Sequence, residues 1–68
     1  MYETALFKRN KYGKFVRVYH SIDDKPWRAK ELVNYLKLFQ VYRDGHDSVY
    51  VDENGTFKLY LTRLNHWW

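Results

Sequence analysis

The residues of this chain that chemistry could recruit are three histidines, a few adjacent carboxylates and a run of cations. His20, His46 and His66 stand in three separate places. Asp44-Gly45-His46-Asp47 sets an imidazole beside two carboxylates, the composition of a general base with its orienting acid. The same four residues are also what a short loop needs for capping and turning, and that is the reading adopted. No Ser or Cys stands near them in a nucleophile motif, and no glycine-rich loop could cradle a phosphate. Asp23-Asp24 suits the positive end of a helix better than a metal pair, and Asp52-Glu53 falls in a hairpin turn. The absence of cysteine removes thiolate metal sites and disulfides. A domain of 68 residues has one thin core, and a substrate pocket of a few hundred Å³ is not expected in it. No catalytic residue, metal ligand or cofactor is therefore assigned, and the chain is read as non-enzymatic.

Binding chemistry is better represented. The chain carries 12 Lys and Arg against 8 Asp and Glu, a net charge of +4. That excess lies in residues 1–20, where Lys8, Arg9, Lys11, Lys14 and Arg17 face only Glu3, a local net of +4. Tyr12 stands at the middle of this run. A basic β-ribbon can lie along phosphates or enter a groove, with binding that weakens steeply in salt. The alternative is a solvated hairpin that only aids solubility. Aromatic residues are 21% of the chain, too many for a disordered basic tail.

These groups need elements to position them. Gly13, Gly45, Gly55 and Pro26 divide the chain into strand 2–9, strand 14–20, helix 25–43, strand 47–52 and strand 56–63. An aspartate N-cap before Pro26 opens the helix, and Gly45 closes it. A three-residue loop, Glu53-Asn54-Gly55, pairs Val51 with Phe57 and Val49 with Leu59. A four-residue loop in the first hairpin pairs Phe7 with Val16 and Ala5 with Val18. The face so defined, Ala5, Phe7, Val16, Val18, Val49, Val51, Phe57, Leu59 and Leu61, is expected beneath the helix. There it meets Ala29, Leu32, Val33, Leu36 and Phe39, which share an arc of about 120°. The fold class is α+β: a single domain over residues 1–68, ββαββ, one helix on a four-stranded, mainly antiparallel sheet. A β-grasp-like order with parallel central terminal strands is the first choice.

That register leaves Leu6, Lys8, Phe15, Arg17, Tyr19, Tyr50, Lys58 and Tyr60 on the open side of the sheet. Rings interleaved with cations on a sheet are what stacking on unpaired bases requires, the rings taking base faces and the cations phosphates. Tyr and Phe also suit strands for packing reasons alone. The leading expectation is a small module that binds nucleic acid, single-stranded or duplex. Its contacts would be Lys8, Arg9, Lys11, Tyr12, Lys14, Phe15, Arg17, Tyr19, Tyr50, Lys58 and Tyr60. The competing expectation is a protein-binding adaptor or inhibitor, of the kind a phage or mobile element uses to block a host protein. Its contact would be the sheet face or an aromatic flank of the helix, Trp27, Leu38 and Tyr42, partly covered by Trp67 and Trp68. Trp27, Tyr35, Leu38 and Tyr42 together widen the apolar sector of the helix to about 240°, which also suits a homodimer. No apolar run approaches the ~18 residues of a membrane span, and Met1-Tyr2-Glu3 does not open a secretory signal, so a cytoplasmic setting is expected.

Overall fold

The computed structural model describes residues 1–64. Strands β1 (Tyr2–Arg9) and β2 (Phe15–Asp23) form a hairpin, followed by helix α1 (Trp27–Leu36) and the meander β3 (Phe39–Arg43), β4 (Asp47–Val51) and β5 (Phe57–Arg63). They make one five-stranded sheet in the order β2-β1-β5-β4-β3, with every neighbouring pair antiparallel. This corrects the expected four strands and ββαββ order. The terminal strands are neighbours near the centre, but antiparallel and not parallel, because β3 adds a reversal of direction between helix and end. Trp67 and Trp68 lie outside the described residues. Among the described residues, no helix is long and apolar enough to cross a membrane.

The helix is shorter than its expected 25–43 span because the backbone turns at Lys37, a left-handed residue with φ 55° and ψ 51°. Leu38 N–H then donates back to the Val33 carbonyl at 2.9 Å, and the Leu38 side chain is buried in the core. This bond from two residues past the helix, with an apolar anchor, is a Schellman stop. It frees Phe39–Arg43 to become an edge strand. The start differs too. The helix opens after Pro26 with no side-chain cap, and the Asp23 carboxylate accepts instead from Ser21 Oγ at 3.0 Å.

Leu6, Ala29, Leu38 and Leu59 form the buried centre, with Tyr19, Leu32, Val33, Leu36, Tyr50, Phe57 and Leu61 packed against it. The helix side of the sheet therefore carries the even residues of β1, Tyr19 of β2, Tyr50 of β4 and the odd residues of β5. β5 follows the expected phase, and so does the start of β2, where Val16 opposes Lys8 on the helix side and Phe15 and Arg17 are on the open side. Ala5, Phe7, Val49 and Val51 face the opposite, open side.

Two local features shift the phase. The first loop closes with Asn10 N–H donating to the Lys14 carbonyl at 2.8 Å and with Gly13 at φ 80°, which pairs Phe7 with Arg17 and not with Val16. Further along, Leu6 pairs with Tyr19, so Val18 is an extra, unpaired residue: a β-bulge. A second bulge at Val41 lies between the Gln40–Tyr50 and Tyr42–Val49 pairs. In the last hairpin Val51 opposes Lys58 and not the expected Phe57, which puts an apolar and a charged residue on one face. Gly55, at φ 70°, does end the turn as expected, while the Asp52 carboxylate accepts from Phe57 N–H at 2.8 Å.

Candidate binding face

A five-stranded sheet spans about 19 Å between its outer strands, whereas a helix is about 10 Å across. Among the described residues, one side of the sheet is thus partly roofed and the other is uncovered. On the uncovered side, β2 contributes Phe15 and Arg17, β1 contributes Phe7 and Arg9, and the adjoining β5 contributes Lys58 and Tyr60. Lys58 Nζ lies 5.6 Å from the Phe15 ring centre and 5.4 Å from that of Tyr60. Phe7 meets Tyr60 edge to face, with centroids 5.5 Å apart and planes at 86°. A cation near two rings sets positive charge beside aromatic surface on one face, the combination that contacts to bases and phosphates use. Phe15 and Tyr60 remain exposed, at 42% and 37%.

The expected contact residues divide three ways. Phe15, Arg17, Lys58 and Tyr60 share the open face. Lys11, Tyr12 and Lys14 stand exposed at the hairpin tip, where Lys11 Nζ lies 5.2 Å from the Tyr12 ring centre. The Asn10 carboxamide oxygen shapes that tip by accepting from the N–H groups of Tyr12 and Lys14 at 2.9 and 3.0 Å. Lys8, Tyr19 and Tyr50 are corrected to the helix side, since Tyr19 and Tyr50 pack on the core and Lys8 Nζ lies 5.8 Å from the Phe57 ring centre. Their displacement follows from the phase of β1 and β4 and from the Val18 bulge. Arg9 belongs to the open face but donates to the Asn54 carbonyl at 3.2 Å, tying the first hairpin to the last turn.

The proposed helix flank is not one surface. Leu38 is in the core, Tyr42 is on the open side of β3, and Trp27 is exposed at the helix start with Lys25 Nζ 5.6 Å from its ring centre. The reason is the stop at Lys37, which removes residues 38–43 from the helix and with them the 240° apolar sector. Ala5, Phe7, Phe39, Tyr42, Val49 and Val51 are open-face residues that strand alternation did not identify. Phe39 in the midst of β-branched and aromatic neighbours was the available signal.

Asp44 organises the β3–β4 turn, a strand-to-strand connection and not the expected helix-to-strand loop. Its Oδ1 accepts from the N–H groups of Asp47 and His46 at 2.7 and 2.8 Å, and its Oδ2 accepts from the Tyr42 hydroxyl at 2.9 Å. The backbone N–H groups of Asp47 and His46, then the Tyr42 hydroxyl, hold its carboxyl below the usual carboxylate range. The same hydroxyl bond pushes the Tyr42 phenol up. A side chain so occupied builds a turn. On the open face, His20 Nε2 and Glu3 Oε2 are 2.7 Å apart.

The helix side holds a cleft of about 340 Å³ between α1 and strands β4 and β5, which corrects the expectation that so small a domain has no such space. Its walls carry one lysine, one asparagine and one tyrosine, with no carboxylate, imidazole or thiol. Comparison of the chain with known protein families, curated proteins and solved structures finds no match among them.

Proposed function

We propose that this chain is a non-enzymatic module that binds nucleic acid through its first hairpin and the adjoining half of the open sheet face. The observation that carries this reading is Lys58 between the rings of Phe15 and Tyr60, beside Phe7 and Arg17. Bases stack on Phe15 and Tyr60, whereas Arg17, Lys58 and the tip lysines Lys11 and Lys14 take phosphates. A broad flat face with exposed rings favours a single strand, because duplex bases offer their edges and not their faces. Fluorescence anisotropy of labelled single-stranded oligonucleotides tests this. Binding should be tight at low salt and fall steeply towards physiological salt, and Tyr60→Ala should weaken it by about 1–3 kcal/mol. Absence of any anisotropy change at low salt would refute the reading.

A second reading, a protein-binding adaptor or inhibitor, is favoured by the other half of the same face. There Phe39, Tyr42, Val49 and Val51 are grouped, with Phe39 and Tyr42 52% and 53% exposed. Exposed rings grouped in this way are typical of contact surfaces. Phe39→Asp would then abolish co-purification of a protein partner after nuclease treatment, while Tyr60→Ala would leave that co-purification intact.

A further inference from the structure

We infer that the cleft between α1 and the β4–β5 edge of the sheet is a binding site for a small amphiphilic anion, independent of the open face. Pro26, Ala29, Lys30, Val33 and Asn34 follow one another at helical spacing and form one wall, and Tyr50 and Leu61 form the other. The floor of the cleft lies over the core at Ala29, which is itself buried, so the surface open to a ligand is that of the half-buried Val33, Tyr50 and Leu61. Its volume of about 340 Å³ lies in the range of small-molecule sites. At about 30 Å³ per liquid-packed atom it accommodates roughly a dozen non-hydrogen atoms.

The polar groups define the ligand's charge. Lys30 is the one ionised side chain in the lining, Asn34 and Tyr50 are neutral, and no acid is present to neutralise Lys30. Lys30 and Asn34 are themselves exposed, so they form the mouth, while Val33, Tyr50 and Leu61 form the interior over Ala29. An aliphatic or aromatic body would bury against those three, with its carboxylate at Lys30 and Asn34. A cationic amphiphile would meet Lys30 with like charge.

The test uses the full chain and three probes of equal chain length, decanoate, decanol and decylamine, each kept below its solubility or micelle-forming limit. Amide chemical shifts are followed by heteronuclear NMR. Decanoate should saturate shifts confined to Ala29, Val33, Tyr50, Leu61 and their neighbours, with an affinity about fivefold above that of decanol, and decylamine should bind more weakly still. Lys30→Glu, at an exposed position, should reverse the order of decanoate and decylamine while leaving the other shifts unchanged. Equal response to the three probes, shifts spread over the open face, or no saturable shift would overturn the proposal.

Discussion

Single side chains, rather than extended contacts, set the shape of two turns in this protein. Asn10 closes the first hairpin by accepting two backbone N–H groups, and Asp44 does the same between β3 and β4. Asp44 differs because it ionises. Its folded-state pKa is depressed below the unfolded value of about 3.9, so it contributes stability above that value and loses it as pH falls through the folded pKa. Asp44→Ala should therefore lower the melting temperature at neutral pH, and the gap to the parent protein should close on acidification. A gap of constant size throughout the acid range, measured by thermal unfolding at a series of pH values, would show that the carboxylate charge is immaterial. That Asp44-Gly45-His46-Asp47 forms a turn was legible because Asp and Gly favour this geometry wherever they occur together. Which elements the turn joins was not, because that depends on where the preceding helix ends.

The helix end is the element on which most of the fold turns. Leu32, Leu36 and Phe39 continue a helical period, and so do Leu38 and Tyr42. The same stretch, Phe39-Gln40-Val41-Tyr42-Arg43, is rich in the aromatic and β-branched residues that strands favour. Periodicity cannot separate these readings over so few residues. The stop is made by a lysine in the left-handed region, a conformation that a residue with a Cβ adopts at a cost and that composition does not announce. Glycine is free of that cost, so Lys37→Gly should stabilise the protein by about 1 kcal/mol. An increase in the urea midpoint with an unchanged slope would register the effect. A decrease would mean that the lysine side chain contributes more than its backbone strain. In β1 the difficulty was different. Its odd residues, Glu3, Ala5, Phe7 and Arg9, are about as apolar as its even ones, Tyr2, Thr4, Leu6 and Lys8, so the strand was recognisable while its buried side was not. Val18 then shifts the phase of β2 partway along, which no strict alternation can anticipate.

Over the whole molecule, charge survives these shifts of phase better than faces do. The first hairpin remains the basic end, because Lys11 and Lys14 are in its tip and Arg17 is near it whichever register is adopted. The aromatic platform was legible only in part: Phe15 and Tyr60 remain on the open side, Tyr19 and Tyr50 move beneath the helix, and Phe7 takes a place beside Tyr60. The charge argument yields its own expectation. Replacing Lys11, Lys14 and Arg17 together with Ala should reduce the slope of log affinity against log salt by about one for each phosphate contact removed. An unchanged slope would place the phosphate contacts elsewhere. Tyr60→Ala, in contrast, should reduce affinity and leave the slope alone, since stacking releases no counterions.

The extra residues Val18 and Val41 are both in the outermost strands, β2 and β3. A foreign ribbon laid along either rim would find its donors and acceptors falling out of step midway, which is one of the devices that blunt an open sheet edge against further pairing.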